Sequence, residues 1–312
     1  MDRVALGKTG LQVSPAGLGC GGHSRLGMRN GDASVAEGVI QRALDLGINF
    51  FDTARAYGTE EVLGKIVRQC RDEVVISTKT VFQDRDGHYM PAERLVASLE
   101  KSLKRMHLDY VDIFSFHGVT PEHLDHCLHA YVPVFQKEVR KGKIRHLGIT
   151  ESFRQDPTHE MLKAAVPTGV FDVVMVGFNF LNPGARDEVF PLCEKHGVAT
   201  QIMHAVRRAL SNQEVLLETV RQLVESGEVS TLDVNVDDPL DFLNAHASVE
   251  SVTEAAYRFC RHEPGVSVVL NGTGSVAHLE QNVAAINSDR LPESLLSRLD
   301  QAFGSVRSVS GD

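Results

Sequence analysis

Eight short runs of apolar or β-branched residues recur along the chain, at 16–19, 48–51, 74–77, 110–114, 145–149, 171–176, 197–202 and 266–270. Most lack the polar alternation of a half-exposed strand, so they predict strands buried on both faces. Between them the apolar positions shift to a helical period. Ala36, Val39, Ile40, Ala43 and Leu44 share one face between a Ser34…Glu37 capping box and Gly47,. Val62, Leu63, Ile66 and Val67 form a second face, and Leu95, Leu99 and Leu103 a third that starts at Pro91,. Alternation of strand and helix demands a parallel sheet with right-handed crossovers, and eight such strands can close. The expected fold is therefore an α/β chain forming a (β/α)8 TIM barrel. Residues 3–6 and 11–14 flank Gly7-Lys8-Thr9-Gly10 and predict a β-hairpin capping the barrel's bottom,. No linker divides residues 1–312, so a single domain is expected, with a long loop insertion at about 203–265 folding over the barrel mouth,.

Composition narrows the partners. Lys plus Arg total 32 against 41 Asp plus Glu, a formal charge of -9 with no basic block, which argues against nucleic acid,. No window approaches the length of a membrane span, and the first residues lack a signal pattern. Five scattered cysteines without C-x-x-C spacing read as reduced thiols, so a cytoplasmic protein without a membrane partner is expected,. The oligomeric state is not legible. His123, His126 and His129 around Cys127 lack the paired ligand spacing of a zinc site, so no metal is expected, and the acidic run 233–241 reads as a solvated loop,.

Barrels of this class carry their chemistry at the C-terminal ends of the strands. There, three consecutive predicted strands deliver Asp52, Lys79 and His117, and Tyr57 follows Asp52 on its loop. A cation beside a phenol favours its anion, and a carboxylate keeps that cation charged and oriented. The quartet reads as a general acid built around Tyr57, with Tyr57, His117 and Phe82 expected to line the substrate pocket. Gly17-Leu18-Gly19-Cys20-Gly21-Gly22 satisfies G-x-G-x-x-G, yet no helix opens directly after it, so its glycines read as close backbone approach rather than a dinucleotide fingerprint,.

The segment Gly47-Ile48-Asn49-Phe50-Phe51-Asp52-Thr53-Ala54-Arg55-Ala56-Tyr57-Gly58, with Leu6-Gly7-Lys8-Thr9-Gly10 and Gly142-Lys143-Ile144-Arg145-His146-Leu147-Gly148-Ile149-Thr150, resembles the aldo-keto reductase signature. The resemblance implies a barrel that binds NADP(H) or NAD(H) and interconverts small carbonyl compounds and alcohols. Tyr57 would be the proton donor, Lys79 would tune it, Asp52 would orient Lys79, and His117 would position the carbonyl oxygen. On the cofactor side it implies roles for Asp52, Thr150, Glu151, Met175, Met203, His204, Gly272, Thr273, Gly274, Ser275, His278, Glu280 and Asn282. The family holds the carboxamide with a Ser-Asn pair and a Gln, where this chain has Thr150-Glu151 and Met175. Gly274 stands where an Arg often meets the 2′-phosphate, leaving the choice between NAD and NADP open. These departures also motivate an alternative, a cofactor-binding sensor or regulatory subunit with little turnover.

Overall fold

A computed structural model of the chain describes residues 1–30 and 32–312. The strands are β1 (Val4–Ala5), β2 (Gln12–Val13), β3 (Ala16–Gly19), β4 (Phe50–Asp52), β5 (Val75–Thr80), β6 (Val111–Val119), β7 (Ile144–Glu151), β8 (Val173–Gly177), β9 (Ala199–Met203) and β10 (Val268–Asn271). β1 and β2 pair antiparallel, and β3 to β10 form a closed parallel barrel in which β10 returns to β3. Every expected strand is present. The main difference is β6, which runs past the apolar stretch and carries His117 within it.

Side chains alternate between two cores, as the two-residue strand period requires. Phe50, Val75, Ile113, Val173, Ala199 and Val268 point inward and close the barrel floor with Leu6 and Val13 of the hairpin. Residues of the opposite parity, among them Phe51, Ile76, Phe114, Val174, Ile202 and Val269, point outward into the large core beneath the helices. Two residues above the floor, several inward positions turn polar, with Asp52, Ser77 and Gln201 all buried. Ser77 Oγ donates to Asp52 Oδ1 at 3.0 Å.

The helix Ala33–Asp45 begins two residues earlier than the Ser34…Glu37 box suggested. Asp32 is its cap, accepting the Ser34 backbone N–H at 2.9 Å and the Ser34 hydroxyl at 2.6 Å. A carboxylate near a helix N-terminus also meets the favourable end of the helix dipole. The 203–265 stretch carries the helices Gln213–Glu225, Asp241–Asn244 and Val252–Arg261. Its connecting residues bond to the C-terminal segment, where Gln301 donates to Asp233 at 2.7 Å and the Arg307 N–H to Glu228 at 3.0 Å. Among the described residues no helix is long and apolar enough to cross a membrane.

Candidate active site

Asp52 closes β4 and Lys79 lies in β5, on strands whose register sets Asp52 opposite Ser77. Strand parity then turns Asp52, Ser77 and Lys79 to the same interior. Lys79 Nζ lies 2.7 Å and 2.5 Å from the two Asp52 oxygens, and both side chains are almost wholly buried. Burial alone would push the Lys79 pKa down; Asp52, and after it Tyr57, more than offset this and hold it above its ordinary value,. The ammonium is therefore permanently charged near neutral pH.

Tyr57 sits in the one-turn helix Arg55–Tyr57, with Lys79 Nζ 5.3 Å from its ring centroid. Its ring meets that of His117 edge-on at 6.0 Å. The four residues expected at one mouth are thus brought together. The phenol's acidity departs from expectation. Burial raises the Tyr57 pKa above its ordinary value, and the opposing pull of Lys79, by charge and by hydrogen bonding, does not overcome it. His117 is pushed down to about 3 by burial and then by the Lys79 charge, which leaves it neutral.

Sequence reasoning missed Gly21 as a component of this site. It is buried, and a Cβ placed on it would fall 2.4 Å from Cε2, 2.6 Å from Cζ and 2.7 Å from Cδ2 of Tyr57. The phenol is packed face to backbone against the chain leaving β3. The G-x-G-x-x-G string hinted at close approach there, but the partner lies 36 residues away and no local signal names it.

Several expected contacts are corrected. Phe82 is only 3 % exposed and packs beneath Tyr89, at 6.3 Å, and beside His123, at 5.3 Å, so it belongs to the core rather than to a pocket wall. Glu151 follows Leu147 and Ile149 on the outward face of β7, and its carboxylate is already occupied. It accepts from Gly177 N–H at 2.7 Å and pairs with His159 Nδ1 at 2.9 Å and 3.1 Å, with both side chains fully buried. It is not free to grip a carboxamide. Thr150 faces inward with its hydroxyl accepting the Gly118 N–H at 2.7 Å, and Met175 is buried beside it in the β7–β8 register. Met203 ends β9, and His204 takes a left-handed backbone with φ 64°, its carbonyl held by Asn179 at 3.1 Å.

After β10, Gly272, Thr273, Gly274 and Ser275 lead into the helix Val276–Asn287. Ser275 caps that helix by accepting the His278 N–H at 3.4 Å. A Cβ at Gly272 would lie 3.1 Å from the Gly19 carbonyl oxygen, and one at Gly274 2.5 Å from the Gly27 backbone nitrogen. The strip, with glycines at 272 and 274 packed closely on the backbone of Gly19 and Gly27, leads into a helix N-terminus, the kind of position that favours a phosphate,. Packed against Gly27, position 274 has no room for any side chain in this fold. Glu280 and His278 lie exposed farther along the helix with Asn282 half-buried, and Glu280 is paired with Arg42 at 2.7 Å.

A match to the aldo/keto reductase family spans residues 17–303. The chain is 29% identical to L-galactose dehydrogenase of Arabidopsis thaliana over 98% of its own length and 95% of that protein's. It is 22% identical to the NADH-specific methylglyoxal reductase of Escherichia coli K12, covering 92% and 94% of the two chains. The fold superposes on the aldo-keto reductase AKR11C1 from Bacillus halodurans with a TM-score of 0.73 at 22% identity, covering all of both chains. With the closed barrel and this extended match together, the chain belongs to the aldo/keto reductase family and is an NAD(P)H-dependent oxidoreductase acting on carbonyl and alcohol groups.

Proposed function

We propose that Tyr57 exchanges the proton in this reaction, donating it to the carbonyl oxygen in reduction and recovering it in alcohol oxidation. The observation that carries this reading is the Lys79 ammonium, fixed by Asp52 at 2.5 Å and facing the Tyr57 ring. When bound, the dihydronicotinamide supplies the hydride. Within the protein, Asp52 keeps Lys79 charged, and Lys79 stabilises the tyrosinate that remains once the proton has left. A neutral His117 can donate one ring N–H to the substrate oxygen without competing for the proton, because its low pKa keeps it from becoming imidazolium,. The strip 272–275 would hold the cofactor phosphates, Thr150 and Met175 would border its ring, and Met203 and His204 would lie alongside.

Because the phenol stays protonated through neutral pH, carbonyl reduction is favoured there, while alcohol oxidation, which needs the tyrosinate, accelerates as the pH rises. Replacing Tyr57 by Phe removes the donor without changing the ring. The expected result is a loss of turnover of about a hundredfold or more with cofactor affinity retained. Undiminished turnover in that variant would refute the role of Tyr57.

A further inference from the structure

At the barrel rim, the strand that carries His117 departs from regular pairing. The β6–β7 register holds from Ile113↔His146 to Phe116↔Ile149, then shifts before Val119↔Glu151. The interruption falls on His117 and Gly118, and Gly118 adopts φ 69°, where a side chain is disfavoured,. Bulges of this kind re-aim a side chain next to active sites and leave a ladder N–H unpaired. Here the unpaired group is the Gly118 N–H, and the Thr150 hydroxyl takes it at 2.7 Å.

The neighbouring residue does the same on the other side. Glu151 Oε1 accepts the N–H of Gly177, the last residue of β8, at 2.7 Å. Its other oxygen lies 2.9 Å from His159 Nδ1, and the His159 ring stacks on Phe153 at 5.2 Å and 13°. His159 Nε2 is buried without a partner, so the contact of Nδ1 with Glu151 is the polar contact that seats this ring,. A fully buried carboxyl group is costly unless hydrogen-bonded, and this one has partners on both oxygens at the end of a strand bordering the site,.

We propose that Thr150 and Glu151 are positioning residues rather than carboxamide ligands: Thr150 secures the bulge that aims His117, and Glu151, keyed by His159, secures the β8 rim. This rests on the proposed role of the Tyr57 and His117 site, so the test has one arm that needs no cofactor. In the full chain without cofactor, amide exchange at Gly118 should accelerate about tenfold in Thr150→Val and return to the original rate in Thr150→Ser, the range expected for losing one buried hydrogen bond. Exchange at Gly177 should accelerate in Glu151→Ala but not in Glu151→Gln, whose amide oxygen can still accept.

In the second arm, titration with NADPH and NADH should show dissociation constants within about twofold of the original in Thr150→Val, while kcat with a small aldehyde falls about tenfold or more, as misaimed catalytic groups do. Unchanged exchange at Gly118 or Gly177 would overturn the proposal. So would a tenfold weakening of cofactor binding with kcat preserved, which is the signature of a ligand. If the original chain binds neither cofactor, the functional reading fails, while the exchange arm still reports on the brace. Should Glu151→Ala fail to fold, Thr150→Val, close in shape to the original, carries the test.

Discussion

Substituting Gly21 by Ala is the sharpest probe of how the phenol is held. The added Cβ would fall 2.4 to 2.7 Å from three ring atoms of Tyr57, where ordinary contact begins at 3.4 Å, so the ring must retreat by about 0.7 to 1.0 Å. The backbone at Gly21 is not in the left-handed region, so alanine meets no conformational strain and the effect is steric alone. Because Tyr57 is only partly buried, it can yield, and the stability cost should stay within the roughly 1–3 kcal/mol typical of overpacking,. Catalysis is less tolerant, since a displacement of about 1 Å costs on the order of a hundredfold. The assay is steady-state kcat for reduction of a small aldehyde, beside thermal unfolding to show that the fold persists. Titration of tyrosine absorbance is unobscured because the chain has no Trp. Gly38→Ala serves as the control: it lies exposed within the helix Ala33–Asp45 with nothing within 4 Å of its Cβ, and should stabilise by up to about 1 kcal/mol with kcat unchanged,. A Gly21→Ala protein with the original kcat would refute the packing argument.

Asp52→Asn leaves the buried Lys79 ammonium without its counter-charge and should destabilise by about 3–5 kcal/mol, measured by denaturant unfolding,. Adding Lys79→Met should recover part of that stability but none of the turnover, and a double variant no more stable than Asp52→Asn would show that the pair is not what sustains the site. Acid stability follows from two histidines: burial, with Lys79, holds His117 at about 3, and burial, with Arg207, holds His204 at about 4, against an ordinary 6.5. Both folded values are depressed, so the unfolded chain takes up protons first; the contribution is complete above pH 6.5 and is lost as the pH falls toward 4 and then 3,. Tm should therefore decline on acidification, and His117→Gln with His204→Gln should flatten the slope; an equally steep decline in that double variant would contradict the assignment.

Strand parity and the spacing of apolar runs were enough to count the barrel's strands and to bring Asp52, Lys79 and His117 to one mouth. Those are consequences of the two-residue period acting within single segments, and the close-packed floor of Phe50, Val75 and Ile113 follows from the same rule,. The hairpin was legible for a similar reason, because its turn residues are adjacent. What only the tertiary structure decided is which group meets which across segments. Glu151 looked available to a ligand until the outward face of β7 set it against His159 and Gly177. Phe82 looked like a pocket wall until Tyr89 covered it. Gly21 and Gly274 stood out in the sequence, but what lies against them, Tyr57 and Gly27, only the fold disclosed. Even the phenol's acidity turned on depth as well as neighbours, since desolvation outweighed the cation that the sequence had placed beside it. Periodicity is a local property that a linear pattern records, whereas burial and pairing depend on residues far apart in the chain and exist only once the barrel has closed.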